Sequence, residues 1–172
     1  SSMKAPRRMA TRMPRDGMVA LMGEALDLVE DCRFSVTLRS TSEAVRRTLS
    51  LITAHFAGVM SEAELGTLEM VLAETLNNVV EHAMPDNDQG QVKLRIVPRG
   101  NGLACMVLDT GLPMPGGQPP MENLPRIGSI IQDLPEGGFG WSLIRMHVQD
   151  LDYHRKDGLN VLRFVLPRML DA

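Results

Sequence analysis

Aromatic side chains are scarce in this chain, with one tryptophan, one tyrosine and four phenylalanines in 172 residues. A stacking platform for single-stranded nucleic acid needs several exposed rings, so the composition argues against that class. Positive charge is not in excess either. Eighteen Lys and Arg stand against 21 Asp and Glu, a formal net charge of −3, which leaves no overall basic field for a phosphate backbone. No apolar run approaches the length of a membrane-spanning helix, and no charged start leads into an apolar signal core. A cytoplasmic protein with no membrane contact and no direct nucleic-acid contact is expected. Cysteine is nearly missing. Cys32 and Cys105 are isolated in apolar-rich runs and read as buried thiols of a reducing compartment, with a disulfide the weaker option. Histidine and cysteine also lack the spacing of a zinc site.

What is there describes one globular domain. Hydrophobic residues are 44% and charged residues 23% of a length sufficient for a sizeable core. Residues 1–30 read as a flexible basic tail. Five cations and no acid lie between Lys4 and Arg15, and Gly17 to Glu30 can form a short helix with Val19, Met22, Leu26 and Val29 on one side. Residues 31–172 are expected to form the folded domain.

Periodicity supplies its elements. Cys32 to Arg39 alternates, with Phe34, Val36 and Leu38 on one face of a strand. Thr41 or Ser42 caps a helix that Gly58 ends, burying Ala44, Val45, Leu49, Ile52 and Phe56. Ser61 and Glu64 form a capping box for a second helix that stops before Pro85. Its apolar stripe is Leu65, Leu68, Leu72, Leu76, Val79 and Ala83. Its polar ridge is Glu74, Asn78 and His82 at i, i+4 steps. Strands follow at Gln91 to Pro98 and Leu103 to Leu108, joined at Asn101-Gly102. A long Pro/Gly-rich segment leads to Gly137-Gly138-Phe139-Gly140, which opens a helix from Trp141 to about Gln149. Strands at Leu151 to Arg155 and Val161 to Leu166 flank an Asp157-Gly158 turn. The expected fold is α+β: a two-layer sandwich with a mixed, mainly antiparallel sheet and helices on one face.

Three polar clusters fall at element boundaries. A carboxylate and a carboxamide one turn apart, Glu74 and Asn78, suit a magnesium-dependent site: the first takes a proton and the second offers a hard oxygen. Asp109-Thr110-Gly111 ends an apolar strand. A buried carboxylate there needs a donor such as the exocyclic amine of adenine, and Gly111 permits close approach to a flat ligand. The competing reading of this cluster is an Asx-type turn. Glycines at 137, 138 and 140 before a helix expose N–H groups to an anion.

In this order the chain resembles the GHKL ATPases of the Bergerat fold, and most closely the anti-sigma-factor serine kinases of bacterial partner switching. The resemblance rests on Glu74 to His82 as the N box, Asp109-Thr110-Gly111 as the first glycine box and Glu136 to Ile144 as the second, with 112–136 as the ATP lid. It implies ATP and Mg2+ as cofactors. It makes Glu74 the catalytic base, Asn78 the metal holder, Asp109 the adenine reader and Gly111 a lining of the base pocket. Gly138 and Gly140 would cradle phosphate, and Arg126 of the lid would add positive charge. It implies a STAS-domain anti-anti-sigma protein as substrate, a sigma factor or other regulatory protein as second partner, and a homodimer. Two other readings share the motifs: a non-catalytic nucleotide-sensing adaptor, and a fragment of a sensor histidine kinase. The chain departs from the pattern at Phe139 and Trp141. It also lacks the late-strand threonine that commonly supports the adenine aspartate, where Asn160 is the candidate substitute.

Overall fold

The computed structural model describes residues 34–121 and 139–168. The expected basic tail, Cys32, Arg126, Gly137 and Gly138 lie outside the described residues. The elements run β1 (Phe34–Arg39), α1 (Ser42–Phe56), α2 (Glu62–Asn78), a π-helical turn (Val79–Ala83), β2 (Gln91–Arg99), β3 (Gly102–Asp109), a 3-10 turn (Pro115–Gly117), α3 (Phe139–His147), β4 (Gln149–Lys156) and β5 (Leu159–Pro167).

Alternation in the strands decides which face is covered. Leu94 of β2 lies opposite Val107 of β3, which lies opposite Leu162 of β5; Ile96, Cys105 and Phe164 form the next row. These rows share one core with Val45, Ile52 and Phe56 of α1, Leu68, Leu72 and Leu76 of α2, and Ile144 of α3. Lys93, Arg95 and Arg163 point to the opposite, solvated side. The strand order is β1-β2-β3-β5-β4. Every pairing is antiparallel, so among the described residues the sheet is not mixed. Cys105 sits in the core, where burial pushes its thiol up to about 12, well out of the thiolate range at neutral pH.

Local chemistry sets most boundaries. Ala44 N donates to Thr41 Oγ1 at 3.2 Å, making Thr41 the cap of α1. The Asp157-Gly158 turn has positive φ at both residues, +52° and +83°, as a type I′ hairpin requires. The β2–β3 turn is one residue off the expected centre. Arg99 pairs with Gly102, so the tip is Gly100-Asn101, with φ +54° at Gly100. A glycine in the first central position suits a type II′ turn, which twists as the flanking strands do. Helix α3 begins at Phe139 and ends at His147, because Gln149 already pairs with Val165 in β4.

The capping box of α2 is complete. Ser61 N donates to Glu64 Oε2 at 2.8 Å, and Glu64 N donates to Ser61 Oγ at 3.3 Å. Arg168, just past β5, donates to Glu64 Oε1 at 3.2 Å and to the Val59 carbonyl at 3.0 Å. One carboxylate therefore joins a helix start to the end of the last strand. The Ser61 backbone donor, with Arg168 behind it, holds the Glu64 carboxyl below its ordinary range despite burial. Its folded value is depressed, so its stabilisation is present above the unfolded carboxylate range and is lost as pH falls through the folded value. Glu64→Ala is expected to lower stability by about 1–2 kcal/mol, the usual worth of a cap plus a charged hydrogen bond. Urea unfolding at pH 7 checks it, and the gap between variant and wild type should close in acid.

Candidate functional site

Glu74 and Asn78 stand one turn apart near the end of α2, both half-buried. Helix α3 meets them at its first turn. A Cβ built on Gly140 would fall 2.5 Å from Glu74 Oε2 and 3.7 Å from Asn78 Nδ2, so the start of α3 lies against the pair and a side chain here would displace the end of Glu74. Asn78 Nδ2 is buried with no hydrogen-bond partner among the described residues. A buried polar atom left unpaired costs about 1–3 kcal/mol, which a ligand would relieve.

Beyond Asn78 the helix widens. Met84 N donates to Val79 O at 2.9 Å across the π-helical turn. His82, exposed like Glu81, lines the adjoining cavity together with Asn78. The same turn presents the Ala83 carbonyl, which accepts from Leu112 N at 2.6 Å.

The cavity holds about 510 Å³ and reaches from Thr75 and Asn78 to Asp109 and Asn160. Val79, Leu112, Met114, Trp141 and Leu162 make its walls largely apolar. A few polar groups in an apolar cleft of this size fit a flat heterocycle with a polar edge. Asp109, buried at the end of β3, is its fixed polar point. Its Oδ1 accepts from Gly111 N at 2.8 Å and from Asn160 Nδ2 at 2.7 Å. Oδ2 receives no donor among the described residues and is the atom open to a ligand. Burial pushes the Asp109 carboxyl above its ordinary range, while Asn160, Gly111 and the nearby Arg155 cation pull the other way.

Asn160 thus occupies the supporting position suggested for it, and brings two residues that periodicity did not single out. Tyr153 donates to Asn160 Oδ1 at 2.7 Å and accepts from Met114 N at 2.9 Å. Arg155 donates to Asn160 Oδ1 at 2.6 Å and to the Gly111 carbonyl at 2.8 Å. Both side chains lie on the face of β4 shared with Leu162 and Asn160. Nothing local in the sequence marks them, apart from Tyr153 being the one tyrosine of the chain.

Glu74, Asn78 and Gly140 are therefore brought together, and Asn78 and Asp109 line one cavity. Gly111 is not among the residues that line the cavity, and its missing Cβ makes room for the Ala83 carbonyl. Gly111→Ala is expected to destabilise by about 1–3 kcal/mol or more, because the clash is with backbone that cannot swing aside. Differential scanning calorimetry would read it as a lowered Tm.

The donor set fits a hard cation beside phosphate. Glu74 and Asn78 offer oxygen atoms, and among the described residues no three His, Cys, Asp or Glu side chains cluster as a cage. A cation here would rely on phosphate and water for most of its shell, as Mg2+ does.

Residues 34–166 match the model of the histidine kinase-like ATPase domain, and the chain belongs to that family. Over 96 residues it is 28% identical to a protein named serine/threonine-protein kinase BtrW from Bordetella bronchiseptica, covering 56% of this chain and 66% of that one. The crystal structure of the RsbU and RsbW domains of Rv1364c from Mycobacterium tuberculosis superposes with a TM-score of 0.56 at 14% identity, over 81% of this chain and 33% of that one. That second likeness is one of fold. The chain spans just under two thirds of the first protein and a third of the second. The family read from the three motifs is the one found, and a domain of this kind implies an ATP site.

Proposed function

We propose that the chain is an ATP- and Mg2+-dependent serine protein kinase and anti-sigma regulatory factor. Its substrate would be a serine on a STAS-type anti-anti-sigma partner, and it would sequester a sigma factor or similar regulator. The supporting observation is the pairing of Glu74 and Asn78 at the glycine start of α3, beside an apolar cavity that reaches the open oxygen of Asp109. The likeness to the Bordetella serine/threonine-protein kinase supports the protein-kinase part.

In this reading Asp109 Oδ2 accepts the exocyclic amine of adenine, and the apolar walls flank the ring. The N–H groups and dipole at the start of α3 face phosphate, with Gly140 leaving space and Gly138 and Arg126 in the supporting roles set out above. Asn78 holds Mg2+. The ion would neutralise charge on the phosphates. Glu74 takes the proton of the serine hydroxyl as that oxygen bonds to the γ-phosphorus. The bond from phosphorus to the β–γ bridging oxygen breaks, and ADP leaves.

The test is transfer of label from γ-labelled ATP to a STAS-type partner in Mg2+. Label on a partner serine supports the kinase; tight ATP binding with no labelled serine overturns it in favour of a nucleotide-sensing adaptor. Asn78→Ala should abolish the Mg2+ dependence of ATP binding. In the wild type, EDTA is expected to weaken affinity by about 10–100-fold, the worth of one contact to a charged group, and in the variant hardly at all. Isothermal calorimetry with and without EDTA measures this.

A further inference from the structure

The Asn160 carboxamide is held at all four of its hydrogen-bonding positions. Nδ2 donates to Asp109 Oδ1 at 2.7 Å and to the Leu112 carbonyl at 2.9 Å. Oδ1 accepts from Tyr153 and from Arg155. Arg155 is a donor only, and an ionised Asp109 is an acceptor only, so these two neighbours decide which end of the amide faces which way. Turned over, the amide would set its NH2 against the guanidinium and its oxygen against a carboxylate and a carbonyl. Asn160 is 3% exposed, so no water shell softens that penalty.

We propose that Arg155 is a specificity-determining positioning residue of the base site: by fixing the orientation of Asn160 it holds the Asp109 carboxylate with Oδ2 towards the cavity, which selects a 6-amino purine over a 6-oxo purine. The inference rests on the nucleotide reading above. Arg155 does not line the cavity. Its effect on base choice must pass through Asn160 and through the Gly111 carbonyl, to which it donates at 2.8 Å. Tyr153 is the second support and links the same amide to Met114 N, in the cavity wall.

The logic follows from the donor count. Two donors on Asp109 Oδ1 turn the remaining lone pairs, on Oδ2, to the ligand. The exocyclic amine of adenine matches that acceptor, whereas the 6-oxo group of guanine meets it oxygen to oxygen. A loosened Asn160 leaves Gly111 N as the one fixed donor to Asp109 Oδ1, so the carboxylate is held less firmly and the match is weakened for adenine without gain for guanine.

The experiment compares ATP and GTP binding by isothermal calorimetry for wild type, Arg155→Met, Arg155→Lys and Tyr153→Phe. The change of charge in Arg155→Met acts on both triphosphates alike and cancels in their affinity ratio. A wild-type preference for ATP that narrows by about tenfold in Arg155→Met is expected, about the worth of one charge-assisted hydrogen bond. Arg155→Lys should keep most of the preference, since a donor remains, and Tyr153→Phe should narrow it less than Arg155→Met. Equal weakening of ATP and GTP in Arg155→Met, or no change, overturns the inference and leaves the nucleotide reading standing. A wild-type chain that binds neither nucleotide overturns both. Arg155 is exposed, so a folded variant is expected; far-ultraviolet circular dichroism confirms it, and Tyr153→Phe reads the same amide independently.

Discussion

Glu74→Gln is expected to leave ATP affinity within about threefold of wild type and to cut serine phosphorylation by about 10²–10⁴-fold, the usual share of a positioned general base. Glutamine keeps the size of the side chain and its fit against the start of α3, where Gly140 lies beside the end of residue 74. It removes only the ability to take a proton. The carboxylate has no hydrogen-bond partner among the described residues, so no structural bond is lost with it. Single-turnover transfer to the partner, read beside calorimetric ATP affinity, separates the two effects. Equal transfer rates in variant and wild type would end the assignment of Glu74 as base. A large loss of ATP binding would instead give Glu74 a ligand-holding role, with the proton taken elsewhere.

The second large effect belongs to Asp109. In Asp109→Asn the backbone of Gly111 and the amide of Asn160 still aim two donors at one side-chain atom. That atom must be the new carboxamide oxygen, so the new NH2 turns to the cavity. A donor there repels the adenine amine and suits a 6-oxo group. ATP affinity is expected to fall by about 10–100-fold, with GTP weakened far less or improved, since a buried site built for one polar pattern strongly rejects its opposite. The wild type should also lose ATP on acidification. Burial raises the Asp109 carboxyl above its ordinary value near 4, so the acceptor is protonated, and binding declines, at a higher pH than for a surface carboxylate. Calorimetric titrations between pH 8 and 5 check the sign, with Asp109→Asn as the control that should lack this component. An ATP affinity untouched by the substitution would move the base elsewhere in the cavity.

These two residues show how unevenly the site could be read from the chain alone. Glu74 and Asn78 are one turn apart on a helix whose start is written in the Ser61–Glu64 box, so their common side follows from helical geometry. That Gly140 seats against both is a contact across 62 or more residues, and no spacing rule carries that far. His82 follows Asn78 through a π-helical turn over Val79–Ala83, a local widening that no spacing rule announces. The turn is in turn tied to Leu112 and packed on Gly111. Gly111 shows a constraint that only the tertiary structure reveals, since the packing of Ala83 against it demands glycine.

Strand alternation, caps, the type I′ turn at Asp157-Gly158 and the three polar clusters are properties of neighbours along the chain. Composition and order therefore determined the α+β layers, the inward faces and the family. The support of Asp109 by Asn160, Tyr153 and Arg155, the antiparallel order that puts β5 between β3 and β4, and the packing of α3 on α2 were decided only in three dimensions. Hydrogen bonds between residues some 50 positions apart depend on which strands become neighbours. That choice is made by burying one continuous apolar face, a property of the whole chain and of no segment within it.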